Sequence, residues 1–141
     1  MKTIYLSHSW KFRKTGKILQ KKLEDLGYKV YNPFSYKQNW KPETIVKRDL
    51  KLINKSDFMV AYYGIVSIGV TMEIFYAGGI LKKPVYLLCT PAKDQDALEA
   101  VYGDVYIKKL TEHCWLQNCV TEFFNNTKDL LDYLRKEYNN E

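Results

Sequence analysis

An α/β fold, with a parallel sheet covered by helices on both faces, is predicted by three observations in this chain. Short β-rich runs alternate with stretches of helical apolar spacing from the first residues onward. One of those runs, Asp57–Tyr62 (DFMVAY), is almost continuously apolar, as a strand buried on both faces is. The connections are short, and alternating β and α segments joined in that way set their strands side by side in parallel.

Each element has its own signals. Thr3–Ser7 (TIYLS) is the first strand and runs into a polar loop, Ser7–Lys14. Lys14–Leu26 carries Ile18, Leu19, Leu23 and Leu26 at helical spacing, and Gly27 ends it. Tyr28–Tyr31 (YKVY) reads as the second strand, closed by Asn32-Pro33. The loop Phe34–Lys41 is polar and aromatic, and Lys41-Pro42-Glu43 opens a helix with proline in its first turn. Ile45, Leu50, Leu52 and Ile53 supply that helix with an apolar face up to Asn54. Beyond the DFMVAY strand, a helix is predicted from about Ile68 to Leu81 and a fourth strand at Pro84–Leu88 (PVYLL).

Asp94–Tyr102 reads as a short helix, and Thr127–Tyr138 as a terminal helix with Leu130, Leu131 and Leu134 facing inward. A fifth strand is expected between Val105 and Val120, and the aromatic tract Cys114–Phe124 reads as ordinary core. Five strands in 141 residues predict a single domain, 1–141, with a flavodoxin-like (Rossmann-type) three-layer sandwich and strand order 2-1-3-4-5.

Composition narrows the function classes. An apolar content of 46% with 27% charged residues is that of a globular domain. No apolar run approaches the roughly 20 residues that span a bilayer, and MKTIYLSHSW turns polar too early for a signal peptide. A cytoplasmic protein with Cys89, Cys114 and Cys119 reduced is therefore expected. His8 and His113 are too few and too far apart for a zinc site, so no metal is expected. The net charge of +6 favours anionic partners. The lysines are spread over solvated helix faces without a nucleic-acid motif, so a phosphorylated small molecule fits better than a nucleic-acid polymer. Neither GxGxxG, nor a Walker pattern, nor GxSxG occurs.

A doubly wound sheet binds ligands beyond the carboxyl ends of its strands, where the strand order reverses. Here that edge holds the loops Ser7–Lys14 and Tyr63–Ser67. The stretch after it, Ser67–Gly79 (SIGVTMEIFYAGG), starts with a residue suited to cap a helix or meet an anion. Within it, Glu73 has Gly69 four residues before and Ala77 four after, which leaves room on its face for a ring. The plain alternative is a surface glutamate on an amphipathic helix. Asp49, in KRDLKLINKSD, is a second acid whose charge would separate the two acidities if it reached Glu73. Read alone, it is a solvated helix residue. Tyr5, Ser7, His8 and Ser9 end the first strand at the same edge, followed by Lys11, Arg13 and Lys14, a basic cluster suited to phosphate.

Together these residues resemble the nucleoside 2-deoxyribosyltransferase superfamily. The matching parts are YLSHS at Tyr5–Ser9, the pair Asp49 and Asp57, VAYYG, SIGVTMEIFYA and KKPVYLL, over roughly residues 3–90. The resemblance implies a Glu73 nucleophile that attacks the anomeric carbon, with Asp49 orienting or protonating and Tyr5 positioning Glu73. It implies no cofactor, a small-molecule nucleoside or nucleotide substrate, and a homodimer or larger assembly.

Base-exchanging transferases of that superfamily carry an Asp six residues before the glutamate, where this chain has Ser67. Ser67 looks more like the branch hydrolysing 2′-deoxynucleoside 5′-monophosphates, whose serines hold the phosphate. Ser9 matches a second such serine, with Ser7, Lys11 and Gly69 as further substrate-binding candidates. Tyr5, where a Phe would go with ribose, implies the deoxy sugar. His8 stands where that branch has a small residue, and no counterpart of the serine that a neighbouring subunit contributes is apparent. The expected reaction is N-glycosidic cleavage of a deoxynucleoside monophosphate, with base exchange between deoxynucleosides as the alternative. From other classes, a TIR-like domain that cleaves NAD or binds a nucleotide signal resembles the IYLSHS opening, and a non-catalytic nucleotide-binding module is the third reading.

Overall fold

The computed structural model of the chain describes residues 1–38, 40–90 and 114–140. Five parallel strands, β1 (Thr3–Ser7), β2 (Lys29–Tyr31), β3 (Phe58–Tyr63), β4 (Val85–Cys89) and β5 (Glu122–Phe124), form one sheet in the order 2-1-3-4-5. The order reverses between β1 and β3, whose register sets Tyr5 beside Met59 and Ser7 beside Ala61. β3 is buried along its whole length, in keeping with its continuous apolar sequence.

Helices α1 (Arg13–Asp25), α2 (Pro42–Lys55), α3 (Ile68–Ile74), α4 (Cys114–Cys119) and α5 (Thr127–Asn139) cover the sheet. Strand period two divides the core between the faces. Ile4, Leu6, Val60 and Leu88 pack with Leu19 and Leu23 of α1 and with Leu130 and Leu134 of α5. Tyr5, Met59, Ala61 and Leu87 pack with Leu52 and Ile53 of α2, Ile74 of α3 and Leu116 of α4. Leu131, expected inward, is only partly buried at the margin of the first cluster.

Local chemistry fixes the element ends. Pro42 opens α2, with Glu43 in its first turn and Lys55 in its last, as the helix dipole favours. The Ser67 hydroxyl accepts the Val70 N–H at 3.3 Å at the start of α3, and Asn126 accepts the Asp129 N–H at 2.8 Å at the start of α5. After α1, Gly27 adopts φ +106°, a left-handed conformation that suits glycine, and a Cβ there would meet the Tyr138 hydroxyl at 2.7 Å.

Three further expectations change. The helix predicted from Ile68 to Leu81 is α-helical only to Ile74 and continues as a π-helical turn, Phe75–Ile80. Gly78 lies in that turn under the end of α4, where a Cβ would fall 1.9 Å from the Cys119 carbonyl oxygen. The fifth strand is Glu122–Phe124, past the Val105–Val120 window, and pairs with Tyr86–Leu88. The tract Cys114–Phe124 is core only in part, because Trp115 is 64% exposed while Leu116, Cys119, Val120 and Phe124 are buried. The helix expected at Asp94–Tyr102 lies outside the described residues. Among those described, no helix is long and apolar enough to cross a membrane.

Candidate active site

The parity that builds the second core also builds the site. Tyr5 and Ser7 are two residues apart on β1 and both point to the α2–α3 face. Glu73, on the last turn of α3, meets them there. The Tyr5 hydroxyl donates to Glu73 Oε2 in a short hydrogen bond, and the Ser7 hydroxyl donates to Oε1 at 2.8 Å. Each carboxylate oxygen thus has one fixed donor. Ser7 is wholly buried, so its contact in the free protein is Glu73.

Part of the Glu73 surface is open, but its carboxyl is crowded by protein on nearly every side. Burial raises its pKa from 4.5 to about 7, against the hydrogen bonds from Tyr5 and Ser7, and the charge of Asp49 raises it further. Tyr5 is pushed well above its ordinary value, by burial first and by Glu73 next, so it remains a donor.

Asp49, on α2, lies near enough for that charge to register. Its Oδ1 accepts from Arg48 Nε at 3.0 Å, and both side chains are about four-fifths covered, with 18% and 22% exposed. Burial raises Asp49 and Arg48 holds it down. Arg48 was not visible as a site residue in the sequence, because adjacent helical positions do not ordinarily share a face. Its Nη1 also reaches Gln38 Oε1 at 3.4 Å, and Gln38 Nε2 donates to the carbonyls of Pro33 and Tyr36 at 3.0 and 2.6 Å. The two acids therefore lie beside a cation that is tied to the loop after β2.

The remaining predicted residues line the edge. Ser9 accepts the Lys11 N–H at 3.2 Å and caps a 3₁₀ turn, Trp10–Phe12. Lys11 takes part through that backbone bond. Gly69 is exposed, with open space where a Cβ would be, whereas Ala77 is fully buried in the core, so only the Gly69 side of Glu73 is clear. The loops after β1 and β2 also carry an aromatic platform that the sequence did not reveal. Trp10 meets Phe34 at 5.2 Å and Trp40 at 5.5 Å between ring centroids, and the Arg13 guanidinium lies 4.7 Å from the Trp10 ring. A broad groove of about 1170 Å³ runs from this platform along α1, lined by Trp10, Arg13, Lys17, Gln20, Asn32 and Phe34. Glu73 does not line it. The converging acids, rather than this groove, mark the candidate chemical centre. Among the described residues no group of three or more His, Cys, Asp and Glu side chains comes together to hold a metal ion.

No protein-family model matches the chain, and no curated protein does. Solved structures do. The 2-deoxyribosyltransferase of the psychrotolerant bacterium Bacillus psychrosaccharolyticus superposes with a TM-score of 0.65 at 22% identity, over 93% of this chain and 91% of that one. The CMP N-glycosidase of Clostridium botulinum superposes with a TM-score of 0.58 at 25% identity, over 94% and 98%. The chain shares the fold of these two enzymes. Its likeness to a streptococcal redox sensor evolved from response regulators, at 11% identity and a TM-score of 0.56, extends to the fold alone and covers 52% of that chain. The likeness to the first two structures, by contrast, runs nearly end to end in both partners.

Proposed function

We propose that the chain cleaves the N-glycosidic bond of a nucleoside 5′-monophosphate, a 2′-deoxynucleotide by preference, with Glu73 as nucleophile. One observation carries this reading: a buried carboxyl at the switch point of the sheet, with each oxygen held by its own hydroxyl donor. A carboxylate with an acidity near neutrality is ionised in a large fraction of molecules at pH 7 and is more basic than a solvated one. Its oxygen attacks the anomeric carbon as the bond to the base breaks through an oxocarbenium-like state, leaving a glycosyl ester on Glu73. The departing base takes a proton from Asp49 or water. Water then attacks the same carbon, frees Glu73 and releases the sugar phosphate.

The phosphate preference is supported by Ser9 and Ser67. Each hydroxyl accepts a backbone N–H through its oxygen, which leaves its proton for a phosphate oxygen. Lys11, Arg13 and Lys14 add positive charge nearby. The named substrate of the clostridial relative, CMP, is a monophosphate. The aromatic platform suits a base, which stacks on such faces. Base exchange is the second reading, favoured by the likeness to a 2-deoxyribosyltransferase. Self-association is supported by the exposed stripe Ile68, Met72 and Phe75 on the outer side of α3 and the turn after it, with Trp115 edge-on to Phe75 at 5.8 Å between ring centroids.

Chromatography of products tests these readings together. Deoxynucleosides, ribonucleosides, their 5′-monophosphates and NAD are each incubated with and without an acceptor base, beside Glu73→Gln. Free base from deoxynucleoside monophosphates, lost in the variant, is expected. A new nucleoside formed from the acceptor base would replace hydrolysis with exchange. Nicotinamide release with no base freed from any nucleoside or nucleotide would overturn the proposal.

A further inference from the structure

His8 follows β1, on the face opposite Glu73, and is buried against α1. A Cβ on Gly16 would lie 2.2 Å from His8 Nε2, so the imidazole rests directly on a bare stretch of helix backbone. Its Nδ1 lies 3.0 Å from the Ser9 carbonyl oxygen and its Nε2 lies 3.2 Å from Asn32 Oδ1. The orientation of Asn32 is determined by a chain of partners. Glu24, a carboxylate, requires the amide nitrogen of Gln20 at 3.0 Å, so Gln20 Oε1 turns to accept from Asn32 Nδ2 at 3.1 Å. Asn32 Oδ1 also accepts the Phe34 N–H at 3.0 Å, which confirms it as oxygen. Both ring nitrogens of His8 therefore face acceptors. A neutral imidazole has one N–H and can satisfy one of them; the imidazolium satisfies both. Flipping the ring would turn carbon toward both oxygens.

The two acceptors belong to different loops. Ser9 caps the turn that carries Trp10, and Asn32 caps the turn Pro33–Ser35 that carries Phe34. Phe34 packs on His8 at 5.0 Å and on Trp10 at 5.2 Å. We propose that His8 is a proton-dependent clasp between the loops after β1 and β2: the imidazolium ties Ser9 to Asn32, and loss of its proton releases one of the two bonds and loosens the aromatic platform. The consequence for substrate rests on the function proposed above; the clasp itself does not.

The groups that meet His8 from each packed element are the Ser9 carbonyl from its own loop, Gly16 from α1, and Asn32 and Phe34 from the loop after β2. None of these side chains titrates. Glu24 stands at the far end of the relay, and Arg13 and Lys17 line the groove outside. Burial pulls the ring below the ordinary 6.5 while the Ser9 carbonyl and Asn32 pull it up, which places the release on the acid side of neutrality.

Imidazole nitrogen NMR tests the clasp, with His113→Gln leaving one histidine to observe. Both His8 nitrogens are expected to be protonated on the acid side, with the Phe34 amide and Trp10 indole resonances titrating at the same midpoint. Asn32→Asp keeps a capping side chain and sets a carboxylate against Nε2, so the midpoint should rise by about one pH unit or more. In cleavage assays, KM should rise with pH through the His8 midpoint and follow it in Asn32→Asp, while kcat keeps its own profile. A Phe34 amide and Trp10 indole indifferent to the His8 titration, or a midpoint unmoved by Asn32→Asp, would overturn the clasp. A chain that shows the coupled titration but cleaves nothing would instead overturn the proposed activity.

Discussion

Glu73 answers two opposing demands. Burial keeps it protonated, and the Tyr5 and Ser7 hydroxyls favour its charged form. If the carboxylate attacks, kcat/KM should rise tenfold per pH unit on the acid side and level near pH 7. Ser7→Ala removes a donor to the charged form, so that limb should move to higher pH by about one unit. A pH profile of the two proteins measures it; an unshifted limb would separate Ser7 from the ionisation of Glu73. The same burial bears on stability. Between 4.5 and about 7 the folded chain keeps a proton on Glu73 that the unfolded chain has released. Stability from this group is therefore lost as pH rises through that window, with no further loss above it. Glu73→Gln removes the penalty, and the variant should gain on the parent between pH 4 and pH 8 by about 3 kcal/mol. Urea unfolding at the two pH values measures the gain.

At the scale of elements, the joint between α3 and β4 is where sequence periodicity and packing part. Apolar spacing runs smoothly from Ile68 to Leu81, yet the helix widens at Phe75. Gly78 comes so close to the Cys119 carbonyl that Gly78→Ala should cost about 3 kcal/mol or more. Lys82 then turns the chain with φ 56°, a conformation in which a side chain is strained. Lys82→Gly should stabilise the fold by about 0.5–1 kcal/mol, and thermal unfolding of the two variants should show shifts of opposite sign. Lys83 next to it donates to the carbonyls of Ile53, Asn54 and Ser56 at 3.0, 2.7 and 2.5 Å, closing the end of α2. One short segment thus ties the helix carrying Glu73 to the helix carrying Asp49.

At the scale of the molecule, a charge of +6 acts on any anionic substrate before contact. For a monophosphate substrate, KM should rise severalfold between low and physiological-to-high salt while kcat changes little. Steady-state kinetics against ionic strength measure it, and the corresponding nucleoside, lacking the phosphate, should show a much weaker dependence.

The amino-acid sequence by itself determined the α/β class and the strand order, and it proposed the main residues of the candidate site. The β-rich run TIYLS, continuous apolarity in DFMVAY and the Ser67 cap are local properties, and they survive folding because each element satisfies them alone. The resemblance drew attention to Tyr5, Asp49 and Glu73, and strand parity explains why Tyr5 and Ser7 share the side on which α3 lies. Only the tertiary structure decided that Ser7 donates to Glu73, that Arg48 rather than solvent faces Asp49, and that Trp10, Phe34 and Trp40 form one platform. It also set β5 at Glu122–Phe124, where pairing with β4 defines a strand only three residues long. Apart from the Arg48–Asp49 pair, these features depend on contacts between residues 24 to 66 positions apart, made by loops and edges whose sequences carry no period. Such contacts exist once the sheet has brought its carboxyl edge together, and no local pattern encodes them.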